Sequence, residues 1–161
     1  MAKIERKYLA HYINTARGVD PVYERIGKDL EEYSPELSAQ VETKRNIFGE
    51  TSVSISGYEK TGTVEPYYAE KDSALFSLLQ EIIDGGLVLD SLVTDVVEVK
   101  LWKEPEDGAY PAIRESVVLE VTSYGGDTTG YQIPFTLHYT GVKTYGTFDP
   151  TTKTFTPIVS A

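Results

Sequence analysis

The chain contains no cysteine, which excludes a disulfide framework, a thiolate nucleophile and any cysteine-based metal site. Histidine is nearly as scarce, with only His11 and His138, far apart in the chain. A Ser-His-Asp site would have to use one of them, and no G-x-S-x-G elbow is present to carry the serine. Long apolar runs are missing too. No stretch approaches the ~18 consecutive apolar residues of a membrane-crossing helix, and MAKIERKYLAHYINTARG lacks the apolar centre of a signal peptide. The expectation is a soluble protein made in the cytoplasm. Basic residues are also few, 15 Lys and Arg against 25 Asp and Glu, a net charge of −10. A surface that grips phosphates needs clustered cations, so this balance argues against a nucleic-acid binder. It does not argue against a surface that nucleic acid must pass without sticking.

What the chain does contain is enough for one domain with a real core. It has 161 residues, 40% of them hydrophobic and 25% charged, a globular composition. Internal repeats and low-complexity runs are absent. One segment has helical periodicity: in DSALFSLLQEIIDGG, Ala74, Leu75, Leu78, Leu79 and Ile82 form a single apolar stripe. The expected helix spans 72–84, with Asp72 as N-cap and Gly85 or Gly86 as the stop. Its stripe must dock on something flat and apolar.

The remainder reads mostly as strand. Residues 94–102 set Val97, Val99 and Leu101 against Val96, Glu98, Lys100 and Trp102. Residues 116–124 turn Val117, Leu119 and Val121 inward and Val118, Glu120 and Thr122 outward. In GYQIPFTLHYTG, Tyr131, Ile133, Phe135, Leu137 and Tyr139 share one face, the strictest two-residue period in the chain. Pro134 interrupts it, so that strand is expected at an edge or bulged there. TYGTFDPTTKTFTP reads as a hairpin turning at Asp149-Pro150. ETSVSISGYEKTGT alternates Val53 and Ile55 with serines, then opens into a charged turn. Many strands with one helix make a β-sandwich or barrel with a helix laid against it. The first 40 residues are expected as an extended arm with a loose turn, the alternative being a helical turn around 25–32.

Candidate chemistry is thin. GYEKTGT has the glycine spacing of a phosphate loop, but Thr63 stands where the lysine must be, and Val64-Glu65-Pro66 starts no helix. SYGGDTTGYQ carries one acid, Asp127, too few for a calcium loop, and is expected as a flexible connection. His138 lies on the polar face of its strand, where a solvated or hydrogen-bonded histidine is the default. The 25 acids supply close pairs without singling one out, and the 12 tyrosines suit strands as well as sugar sites. No catalytic residues, cofactor-binding residues or metal ligands are assigned, and no enzyme is expected.

The run VETKRNIFGETSVSISGYEKTGTVEPYYAEKDSALFSLLQEI, followed by VVEVKLW, VVLEVTSYGGDTTGYQIPFTLHYTG and GTFDPTTKTF, resembles the major tail tube protein of tailed bacteriophages. The likeness is greatest to those of low-GC Gram-positive hosts and covers roughly residues 22–156, with VETKRNIFGETSVSISGY and SYGGDTTGYQIPFTLHY as its most specific pieces. It implies a single tail tube domain over 1–161: an arm and first elements over 1–40, an assembly loop over 40–63, and a β core over 64–161 with the helix and a C-terminal hairpin. It implies subunits joined as hexameric rings stacked into a hollow tube in the virion tail, through which double-stranded DNA passes unbound. The implied partners are further copies of the chain, a tape measure protein, a tail terminator and baseplate or distal tail proteins, with no direct membrane insertion. Assembly-loop candidates are Phe48, Val53, Ile55, Tyr58, Glu59 and Lys60. Glu98 and Glu120 are the candidates to face the lumen, where acids keep DNA mobile. A phage-derived bacteriocin or contractile injection particle shares this architecture. The competing classes are a monomeric carbohydrate-binding β-sandwich and a hydrolase with paired carboxylates of perturbed pKa.

Overall fold

Val97 and Val99 alternate with Val96 and Glu98 along one strand, and all three valines are fully buried, so both faces of that strand are covered. The computed structural model, which describes residues 2–16, 20–28 and 30–158, shows how. Strands β1 (Leu9–Asn14), β2 (Tyr23–Ile26), β5 (Thr61–Val64), β6 (Val93–Lys100), β7 (Tyr110–Val121), β10 (Phe135–Asp149) and β11 (Thr154–Pro157) form one curled seven-stranded antiparallel sheet. Its order is β11-β10-β7-β6-β1-β2, with β5 pairing β10 beside that path. The protein is mainly β with one flanking helix, as its alternating patterns imply.

Two cores result, one on each face of the sheet. On the first face, helix α1 (Ala74–Gly85) lays Leu75, Leu78, Leu79 and Ile82 onto Ile13, Val96, Val117, Leu119, Phe135 and Leu137. On the second, the sheet curls far enough to bring Phe148 of β10 against Tyr12 of β1, with ring centroids 4.5 Å apart, over Val97, Val99 and Ala112.

The helix is capped one residue later than expected. Ser73, not Asp72, is the N-cap: its hydroxyl accepts from the Phe76 amide and donates to the Glu24 carboxylate, which also accepts from the Leu75 amide. A carboxylate on these free amides stabilises the helix N-terminus. At the other end Gly86, left-handed at φ 56°, closes the helix.

Among the described residues of the first 40, Arg6–Tyr8 form a single 3-10 turn, and the strands that follow are not a free arm. Leu9–Asn14 and Tyr23–Ile26 are paired strands of the large sheet, with Ala10, Tyr12, Ile13 and Tyr23 buried in the two cores. Pro134 falls in a break between β9 (Gly130–Gln132) and β10, where its carbonyl accepts from the amide and hydroxyl of Thr122. SYGGDTTGYQ is not a loose connection. It folds as a small ribbon, β8 (Gly125–Asp127) against β9, and Asp127 accepts from the amide and hydroxyl of Thr129, which holds its carboxyl below the usual range. The C-terminal hairpin is present: Asp149 accepts from the amides of Thr151 and Thr152 and turns β10 into β11.

Candidate assembly surface

Strands β3 (Ala39–Arg45) and β4 (Thr51–Tyr58) pair only with each other, in a two-stranded sheet of their own. Every residue in them is exposed except Gly57, and neither strand packs closely on the helix or the large sheet. Most of the segment expected as a loop over 40–63 therefore stands off the body as a ribbon. A two-stranded ribbon without a packed face is marginal in water.

Its two faces differ. Val41 lies opposite Ile55, Thr43 opposite Val53 and Ala39 opposite Tyr58, which places these side chains on one face. The register shifts between Gln40 and Val41, and this bulge keeps Tyr58 in phase with Ile55 despite the intervening pair Ser56 and Gly57. Glu42, Lys44, Ser52 and Ser54 occupy the other face. At the tip, the Asn46 side chain accepts from the amides of Phe48 and Glu50 at 3.0 Å each, and Gly49 adopts φ 82°. This tight turn holds Ile47 97% exposed and Phe48 80% exposed. Val41, Val53, Ile55 and Tyr58 are all exposed as well, and on their face the pair Arg45 and Thr51 separates them from the apolar tip.

The root is built differently. Backbone bonds between Glu36 and Thr61, 2.7 and 2.9 Å, tie the two ends of the ribbon together. Lys60, expected as an exposed assembly contact, is turned inward. Its Nζ meets Glu115 Oε1 at 3.0 Å with side-chain exposures of only 15% and 3%, and lies 4.5 Å from the centre of the Tyr139 ring. Tyr139 and Tyr33 share a hydroxyl hydrogen bond of 2.9 Å, and Tyr33 stands edge-on to His11. Burial pushes the Tyr33 hydroxyl up to about 12 and the Tyr139 hydroxyl further. Gly62, in the same charged turn, lies beneath Tyr33: a Cβ there would come within 2.2 Å of its hydroxyl oxygen. Glu59 does stay on the ribbon side, accepting from Gln40.

The two acids expected to face a lumen part company. Glu98 is turned onto buried His11, Nε2 to Oε1 3.1 Å, and its side chain is 22% exposed. The His11 hydrogen bond, aided by the charges of His11, Lys60 and Lys100 against the opposing effect of burial, holds the Glu98 carboxyl below its ordinary 4.5. Glu98 is therefore an internal partner rather than a free surface acid. A group with a depressed folded-state pKa stabilises the fold above its unfolded pKa, and that contribution disappears as pH falls through the folded value. The stability difference between the native chain and Glu98→Gln should accordingly shrink as pH is lowered below about 4.5, measured by urea denaturation at stepped pH. Glu120 is 52% exposed and pairs at the surface with His138 at 3.1 Å.

Sequence reasoning missed Val41, Ile47, Tyr33 and Glu115. Ile47 was legible as the apolar neighbour of Phe48 in a polar turn. Glu115 had a weaker signal, sharing the parity of Val117 and Leu119 just upstream of the strand as read.

Among the described residues no three metal-ligating side chains converge, and no helix is long and apolar enough to cross a membrane. A groove of about 470 Å³ beside the helix includes Asp90 and Asp95, but Asp95 is taken up by hydrogen bonds from Asn14 and Tyr23.

No protein-family model matches the chain, and no curated protein matches it. Among solved structures it is similar to the sheath/tube terminator of an extracellular contractile injection system, PVC, determined by cryo-EM in the extended state. The TM-score is 0.54 at 13% identity, over 86% of this chain and 94% of that one. What the two share is the fold.

Proposed function

We propose that this chain is a non-catalytic structural subunit of a phage-type tail, which assembles with copies of itself into stacked hexameric rings forming a hollow tube for the passage of DNA. One observation carries the reading: a ribbon whose apolar side chains, Val41, Val53, Ile55 and Tyr58 along one face and Ile47 and Phe48 at the tip, its own body leaves uncovered. Burying a large apolar side chain is worth roughly 1.5–3 kcal/mol. Ile47, Phe48, Val53 and Ile55 together hold enough unrealised burial to drive association. The serines and charges of the opposite face keep the unassembled chain soluble. The fold shared with a subunit of a contractile injection particle, and the resemblance to tail tube proteins over residues 22–156, support the same reading.

The finer assignments belong to this proposal: the virion tail as location, a Gram-positive host, and a tape measure protein, terminator and distal tail proteins as partners. Glu120 is the proposed lumen acid, and the net charge of −10 suits a channel that must not hold DNA. The similar structure favours a second reading, a terminator that closes a tube as a single ring.

Electron microscopy and sedimentation of the purified chain at rising concentration test both. Tubes of indefinite length support the tube reading, and rings that never stack support the terminator. A chain that stays monomeric at high concentration, with tail initiator and chaperone proteins supplied, would sink both. Within this reading, Ile47→Ser with Phe48→Ser should leave thermal stability within about ±0.5 kcal/mol, since nothing in the body touches these side chains. The concentration needed for assembly should rise at least tenfold per side chain, as about 1.4 kcal/mol is a factor of ten. An unchanged assembly threshold would show that the tip is not at a contact.

A further inference from the structure

The ribbon is a lever. Each arm is seven or eight residues long, so at about 3.3 Å per residue it reaches some 23 Å beyond its root. A rotation of roughly 10° at the root displaces the tip by about 4 Å, on that same rise, which is more than a packed contact tolerates. Because neither strand of the ribbon packs closely on the helix or the large sheet, its angle is set chiefly at the root. The backbone there is held by the β5–β10 ladder and by the Tyr139 amide bonded to the Lys60 carbonyl at 2.9 Å. The Lys60 side chain then crosses to Glu115 on β7, a strand that β5 does not pair with.

We propose that the buried Lys60–Glu115 pair positions the ribbon, locking its angle to the sheet, and is not chiefly a source of stability. Taking two charges out of water costs more than such a pair usually returns, and well-packed apolar replacements are often as stable or more so. Here the pair is also incompletely satisfied, since Glu115 Oε2 is buried without a hydrogen-bond partner among the described residues. An ion pair that falls short as a stabiliser, at the root where the angle is set, has directional specificity as its physical use. Lys60 is packed on the Tyr139 ring and Tyr139 is bonded to Tyr33, so the lock is braced from two sides. This assignment gives the ribbon of the proposed assembly a defined direction, and in that sense rests on the assembly reading.

The test does not require assembly. The chain has no cysteine, so Ser54→Cys on the polar ribbon face and Ser77→Cys on the exposed helix face accept two spin labels uniquely. Pulsed dipolar spectroscopy on the monomer should give a narrow distance distribution in the otherwise native chain. In Lys60→Met with Glu115→Leu, the thermal midpoint should hold or rise while the distribution shifts or broadens by about 4 Å or more, the displacement given by the lever length. Lys60→Arg, which keeps the charge pair, should restore the narrow distribution. A native distribution in the double variant overturns the proposal. If that variant fails to fold, Glu115→Gln replaces it with the same criterion, and a native distribution there overturns the proposal equally. If the native chain never assembles but the distances move as stated, the assembly reading fails and the lock stands.

Discussion

A variant in which residues 40–57 are replaced by a two-residue Asn-Gly turn should fold with a native thermal midpoint and remain monomeric where the intact chain assembles. Ala39 and Tyr58 are cross-strand partners, so a tight turn can join the flanking backbone without moving the root. The excision removes no residue of either core. It leaves Lys60 on Glu115, Gly62 under Tyr33 and the Glu36–Thr61 bridge in place. The cut must stop before residue 59 for this reason: an excision carried through Gly62 would expose Glu115 without its cation, and breaking a buried pair in that way costs about 3–5 kcal/mol. Hydrogen exchange supplies the complementary measurement. Amides of 39–58 should exchange faster than those of β6 and β7 in the monomer and become protected on assembly. If the shortened chain still builds tubes of normal length, the ribbon is not the assembly element. If it unfolds, the ribbon supports the body in a way its exposure denies.

The second large effect is expected in the helix core. Leu79→Ala should destabilise the fold by about 2–5 kcal/mol, because Leu79 is fully buried between α1 and the sheet. For a chain of this size each kcal/mol lowers the midpoint by roughly 2–4 °C, so a fall on the order of 5–20 °C should be seen in calorimetry. Its neighbours Leu75, Leu78 and Ile82 hang on the same helix and limit how far the cavity can collapse. An unchanged midpoint would mean that the helix does not dock as described. Any loss of assembly in this variant should follow its loss of folding, whereas Ile47→Ser with Phe48→Ser should lose assembly alone.

The alternation of Val117, Leu119 and Val121 with Val118, Glu120 and Thr122, and the stripe Leu75–Leu78–Leu79–Ile82, determined by themselves that the protein is a β sheet with a helix on one face. Strand and helix periods are local properties of the chain, and each names the face to be buried. The Asp149-Pro150 turn was legible for the same reason, since its bonds join residues close in sequence. The loop over 40–63 was instead expected from the family resemblance, and only its strand from Thr51 showed in the local pattern. Tertiary structure decided the rest through pairings that span most of the chain. Whether residues 9–14 were an arm or a strand depended on β6, more than 80 positions away. Asp72 and Ser73 are both good caps, and the choice fell to Ser73 because Glu24 of β2 reaches its hydroxyl. Lys60 and Glu98 read as surface charges because a sequence shows which residues are polar, not where their counter-charges are. Glu115 and His11, 55 and 87 residues distant, drew both inward, since a polar group leaves water only where a partner replaces its hydration.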